Sequence, residues 1–273
     1  MTTRSQAGTR AIEAMFARAA AEGRSAFLPY FPIGWPTVPG SLEAIEGMAA
    51  AGVDGFEIGM PFSDPLADGP VIQAAAQKAL ENGVTVRGCI EAVRVLRERC
   101  VHQPMLLMGY LNPLLAYGPK QFVADAKAAG ADGIIIPDLP PEEAGDWVAH
   151  CAKANLALVF FLAPTSTPGR IELVTDQSTG FIYVVSLTGV TGARSALPDE
   201  LEAFLAGVKA AAGDLPLVLG FGIGTPEQAQ RINRLTDGFI VGSALVRAGK
   251  DGPDAVVRLA RSIAAAIGGG QTV

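Results

Sequence analysis

At 273 residues, 49% of them apolar and 18% charged, the chain has ample material for a large core; this excludes disorder, and the length suits an α/β barrel of about 250 residues better than an ordinary domain. A formal charge of −6 offers no basic field to a phosphodiester backbone, which argues against nucleic-acid binding. Three cysteines (Cys89, Cys100, Cys151) without CxxC spacing and only two histidines (His102, His150) leave no metal-ligand cluster, so free thiols in a reducing cytoplasm are expected.

In chain order, Met1 to Arg10 is polar and lacks the apolar core of a signal peptide, and no later run approaches the roughly 18 apolar residues of a membrane span. A cytoplasmic protein without membrane contact is expected. Ile12 to Ala21 has helical spacing and precedes a first strand, Ala26 to Phe31. A proline-rich loop leads to a helix from Ser41 to Gly52, then to a strand that opens at Val53. Val71 to Leu80 and Thr85 to Cys100 read as helices, Pro104 to Met108 as strand three, Pro119 to Ala129 as a helix and Gly133 to Ile136 as strand four. Pro141, Glu142 and Glu143 open the next helix, with proline in the first turn and acids at the positive dipole end. Leu156 to Phe161 is strand five, Thr167 to Gln177 a helix and Phe181 to Val185 strand six. A helix from Pro198 to Ala212 leads to strand seven at Leu217 to Leu219. Thr225 to Gln228 forms a capping box, Phe239 to Val241 is strand eight, and Pro253 to Ile267 is the final helix.

Eight strands alternating with helices, with no linker and no shift in composition, predict one closed (β/α)8 TIM barrel over residues 1–273, with an extra helix before strand 1. The doubly wound open sheet competes, but its Gly-x-Gly-x-x-Gly turn after the first strand is missing. In a barrel the chemistry belongs at the carboxyl ends of the strands.

One strand breaks the apolar rule. The pattern Asp, Gly, then three strand residues begins at Asp54, Asp132 and Asp237, and in that alignment Glu57 occupies the position of Ile135 and Ile240. Burying a carboxylate is costly unless it is paired or protonated, and a fold does not need the substitution. Strand alternation puts Glu57 on the face of Val53 and Gly55, inward, with Phe56 and Ile58 against the helices. The loop that follows carries Asp64, read as a capping or surface residue, and Asp68.

After strand seven comes Gly220 to Gly224, including Phe221 and Gly222, and after strand eight Gly242-Ser243-Ala244-Leu245, read as the first turn of a short helix. Gly189 to Gly192 follows strand six. Taken singly these glycines are tight turns; taken together they fit a phosphate held on backbone N–H groups and a helix start. A Schiff-base aldolase needs a strand-end lysine, and Lys78, Lys120, Lys127, Lys153, Lys209 and Lys250 all read as helix or loop residues. What remains is carboxylate chemistry by Glu57 and Asp68, with Tyr183 either a core aromatic or a polar tip that serves it.

At Glu57-Ile58-Gly59-Met60-Pro61-Phe62-Ser63-Asp64-Pro65-Leu66-Ala67-Asp68-Gly69-Pro70 the chain resembles the tryptophan synthase alpha subunit family. Support comes from Met108 to Pro113, Pro137 to Glu143, Gly189 to Gly192, Gly220 to Ile223, and Gly242-Ser243. The resemblance implies a lyase of tryptophan biosynthesis that cleaves indole-3-glycerol phosphate to indole and D-glyceraldehyde 3-phosphate by a retro-aldol reaction. It implies no cofactor on this chain, a beta subunit partner that carries pyridoxal phosphate, and an alpha2beta2 assembly. By the same resemblance Glu57 moves protons, Asp68 accepts the indole N–H and Tyr183 sits beside them. Gly192, Gly222, Gly242 and Ser243 match phosphate contacts, Tyr30, Ile72, Met108, Ile135 and Phe221 match the indole pocket, and Thr191 matches a closing loop. Two departures stand out. Leu187 replaces a frequent Arg, and Pro32-Ile33-Gly34-Trp35-Pro36 replaces the usual Thr-Leu-Gly-Asp-Pro; both put coupling to a beta subunit in question. The alternatives are a stand-alone lyase that releases indole, or a catalytically weak phosphate-binding activator of the beta subunit.

Overall fold

The computed structural model describes residues 10–185, 199–220 and 222–268. Eight parallel strands pair in sequence order and close, β8 on β1, into a barrel. They are β1 (Ala26–Pro32), β2 (Phe56–Gly59), β3 (Met105–Met108), β4 (Gly133–Ile135), β5 (Ala157–Leu162), β6 (Ile182–Val185), β7 (Leu217–Gly220) and β8 (Gly238–Val241). Around them lie α1 (Arg10–Ala21), α2 (Val38–Ala50), α3 (Pro70–Glu81), α4 (Val86–Glu98), α5 (Leu111–Tyr117), α6 (Pro119–Ala129), α7 (Gly145–Ala154), α8 (Pro168–Gln177), α9 (Asp199–Ala212), α10 (Pro226–Ile232), α11 (Ser243–Ala248) and α12 (Pro253–Ile267).

Threonine caps start four of these helices. Thr37, Thr85, Thr167 and Thr225 each accept the N–H three residues on, and Gln228 closes the capping box at Thr225. At α2 this corrects the sequence expectation. The helix begins at Val38 with Pro39 in its first turn, where no intrahelical N–H is needed. Ser41 instead accepts the Gly34 N–H at 3.0 Å. Pro141–Glu143 is a separate single turn of 3₁₀ helix and does not open α7. Strand β2 begins at Phe56, three residues after the expected start at Val53, and α5 was not anticipated at all.

The repeated Asp is a structural device at the amino-terminal end of the barrel. Asp54, Asp132 and Asp237 each accept an N–H at the start of the preceding strand, from Phe27 (2.8 Å), the second residue of β1, and from Met105 (2.9 Å) and Leu217 (2.8 Å), the first residues of β3 and β7. Each also meets a cation: Arg24 on Asp54 at 2.6 Å, Arg97 on Asp132 at 2.6 Å and Lys209 on Asp237 at 2.7 Å. A carboxylate paired and hydrogen-bonded in this way repays its desolvation and fixes the start of two neighbouring strands. The same end is closed by α1. A methyl placed on Gly55 would lie 2.7 Å from the Met15 sulfur, and one on Gly238 would lie 3.0 Å from the Phe16 ring. The opposite end, at the strand carboxyl termini, carries the loops with Asp68 and the glycine turns.

Candidate active site

Strand register decides which side chains enter the barrel. Residues paired across parallel strands point the same way. Tyr30, Glu57, Leu106 and Gly133 form one row across β1 to β4. Gly59, Met108, Ile135 and Val159 form the next, one layer nearer the carboxyl ends. On the far side Phe161 pairs with Tyr183 and Tyr183 with Val218. The five strand residues selected from sequence, Tyr30, Glu57, Met108, Ile135 and Tyr183, therefore share the inner wall, while Phe56 and Ile58 are buried against the helices.

Two inward glycines make room for the tyrosines. A methyl on Gly59 would stand 2.5 Å from the Tyr30 hydroxyl oxygen, and one on Gly220 would stand 1.9 Å from the Tyr183 ring. No real carbon approaches that closely, so both positions require Gly. Tyr183 is held from its other side by Phe161, ring centroids 4.6 Å apart. Neither glycine was given this role from sequence.

Glu57 is 1% exposed, and its Oε1 has no hydrogen-bond partner among the described residues. Burial, with a smaller contribution from the negative charge of Asp68, pushes its carboxyl up to about 8. At neutral pH Glu57 is an acid with a proton to give. Asp68 is partly buried on the loop before α3, and burial raises its carboxyl while the Tyr110 hydroxyl, donating to it at 3.0 Å, works in the opposite direction. The same Tyr110 oxygen accepts the Ala67 N–H at 3.0 Å. Burial first, and the nearby carboxylates second, push the Tyr30 and Tyr183 hydroxyls up, so both stay neutral donors. Asp64 is exposed and takes the Ser63 hydroxyl, the surface role expected of it.

Tyr110 is the participant that the sequence reading missed. It lies in the Met108 to Pro113 stretch, and the available signal was a polar-tipped aromatic directly after a strand end. Its partner is 42 positions away in the chain.

The glycine turns meet at the same end. Gly222 follows β7 with a φ of +55°. A methyl on Gly242 would contact the Tyr30 ring at 3.5 Å and Ile72 Cδ1 at 3.7 Å, which places this turn beside the indole-pocket candidates. The Gly224 and Ala244 positions approach to 3.0 Å by the same measure, so the turns after β7 and β8 touch. Gln228 Oε1 accepts the Gly224 N–H at 2.8 Å and pins the first of them. Ser243 opens α11 and is exposed. Thr191, Gly192, Phe221 and Leu187 lie outside the described residues.

A family model described as "Tryptophan synthase alpha chain" matches residues 16–266. The chain belongs to that family. It is 52% identical over 235 residues to the tryptophan synthase alpha chain of Chloroflexus aurantiacus, covering 86% of this chain and 88% of that one. The alpha chain of Gluconobacter oxydans is 46% identical over 236 residues, covering 86% and 87%. Among solved structures, Mycobacterium tuberculosis tryptophan synthase superposes with a TM-score of 0.88 at 39% identity, over 95% of this chain and 98% of that one. The alpha chain of Legionella pneumophila gives a TM-score of 0.86 at 33% identity, over 96% and 99%. Tryptophan synthase alpha chains cleave indole-3-glycerol phosphate in tryptophan biosynthesis and carry no cofactor. They form alpha2beta2 complexes in which pyridoxal phosphate sits on the beta subunit. Among the described residues no helix is long and apolar enough to cross a membrane.

Proposed function

We propose that this chain cleaves indole-3-glycerol phosphate with Glu57 as the proton carrier, Asp68 as the acceptor of the indole N–H and Tyr183 beside them. The observation that carries this reading is the buried carboxyl of Glu57 on the inner wall, pushed up to about 8, whose Oε1 has no hydrogen-bond partner among the described residues. Protonation of indole C3 by Glu57 turns the ring into an electron sink. The glycerol hydroxyl adjacent to the ring then loses its proton, the carbon–carbon bond breaks, and the bonding pair returns to the ring as indole leaves. Glyceraldehyde 3-phosphate is the second product, and Glu57 reclaims a proton. Asp68 steadies the positive charge that develops on the ring while C3 carries the extra proton. Neither a lysine nor a metal is required by this chemistry.

Apolar walls from Tyr30, Ile72, Met108 and Ile135 suit a flat indole, and Gly222, Gly242 and Ser243 suit the phosphate through backbone N–H groups and one hydroxyl; the family likeness adds Phe221 to the first set and Gly192 to the second. By the family likeness Thr191, outside the described residues, is assigned to closure of the site. The chain acts in this reading as a single domain in the cytoplasm, passing indole to a beta subunit. The test mixes purified chain with indole-3-glycerol phosphate and follows indole, with and without beta subunit. Glu57→Gln should abolish indole release and retain ligand binding; unchanged turnover removes the mechanism.

A further inference from the structure

The segment from Tyr30 to Pro36 touches both ends of α11. Tyr30 lies against Gly242 at its start. Trp35 reaches its far end, where the indole Nε1–H donates to the Val246 carbonyl oxygen at 2.8 Å. The Trp35 ring also lies on Gly249. A methyl there would come within 2.7 Å of Nε1 and within 3.2 Å of Phe31, so the contact depends on a glycine. Trp35 is itself held in place. The Gly34 N–H donates to Ser41 Oγ at 3.0 Å, and Asn82 Nδ2 donates to the Gly34 and Pro36 carbonyls at 2.9 and 2.8 Å.

A six-residue helix makes few hydrogen bonds of its own, so its placement depends on what it packs against. Leu245 and Val246 are buried beneath it, Ala244 meets Gly224, and Trp35 fixes the end remote from the phosphate turn. Because Tyr30 pairs with Glu57 in the barrel wall, this one segment also sets the spacing between the Gly242–Ser243 turn and the reacting carboxyl.

We infer that Trp35 is a positioning residue that clamps α11 and thereby holds the Gly242–Ser243 turn at the distance from Glu57 that a phosphorylated substrate requires. The inference rests on the phosphate reading given above. Trp35 does not touch substrate; it acts through α11.

The test compares wild type with Trp35→Phe, which keeps a ring and deletes the N–H. Affinities for glycerol 3-phosphate and for indole are measured alongside KM and kcat for indole-3-glycerol phosphate. The dissociation constant for glycerol 3-phosphate and the KM should rise about three- to tenfold, the scale of one lost hydrogen bond, while indole affinity and kcat stay within about twofold. Equal weakening of indole and glycerol 3-phosphate, or no change in either, overturns the inference. If Trp35→Phe does not fold, Gly249→Ala displaces the same ring and should give the same phosphate-selective loss; intact glycerol 3-phosphate affinity there also overturns it. Wild-type discrimination between glycerol 3-phosphate and glycerol tests the underlying phosphate reading separately.

Discussion

The Tyr110 hydroxyl bridges the Asp68 loop, donating to Asp68 Oδ2 and accepting from the Ala67 N–H, each at 3.0 Å. One oxygen thereby fixes both the carboxylate and the backbone that carries it. Burial raises the Asp68 carboxyl and this bond works against that rise, so Tyr110 favours the ionised form that the proposed role needs. Tyr110→Phe should lower kcat/KM for indole-3-glycerol phosphate about tenfold, the scale of a hydrogen bond to a charged group, with a melting temperature near that of wild type. Steady-state kinetics beside a thermal melt separates the two effects.

Glu57→Gln should reduce kcat by about 10²- to 10⁴-fold, the usual share of general acid–base catalysis. Glycerol 3-phosphate affinity should hardly change, because the phosphate turns lie on other strands. Isothermal titration and an indole assay on the same preparation check both statements.

The raised carboxyl of Glu57 also predicts a stability profile. Between its ordinary value of 4.5 and about 8, the native chain retains a proton that the unfolded chain has released. Stability therefore falls as pH rises through that window and levels off above it. Urea midpoints of wild type and Glu57→Gln should diverge between about pH 5 and about pH 9, with the variant the more stable at the alkaline end. Parallel profiles would show that Glu57 is not protonated in the folded chain. For the same reason kcat/KM of the wild type should decline above about pH 8.

Gly220→Ala puts a methyl 1.9 Å from the Tyr183 ring, which cannot retreat because Phe161 stands on its other face. Overpacking of this kind costs about 1–3 kcal/mol. The variant should lose stability on that scale and lose activity as the strain falls on Tyr183, read by denaturant unfolding and the indole assay.

Asp54→Ala leaves the Arg24 guanidinium without its bidentate partner at a position where the side chain is 12% exposed, and frees the Phe27 N–H. Breaking a buried pair from one side costs roughly 3–5 kcal/mol. The lesion lies at the amino-terminal end of the barrel, so kcat below the melting transition should stay near wild type. Asp54 and Glu57, acids three residues apart on one stretch of chain, are thus predicted to separate stability from catalysis.

Sequence by itself determined the alternation of strands and helices, the barrel, the inward parity of Glu57 and the glycine turns, because strand period, caps and turn residues are local properties. It also exposed Glu57 as the anomalous member of a threefold Asp-Gly pattern. It did not disclose what that pattern is for: the three Asp side chains tether strand starts, which depends on where Arg24, Arg97 and Lys209 arrive from other elements. The same limit applies to Tyr110 on Asp68, to the glycines that admit Tyr30 and Tyr183, and to Trp35 on Val246, whose partner is 211 positions away. Such contacts are set by barrel closure, which brings remote loops within hydrogen-bond reach, and no window of neighbouring residues encodes that distance.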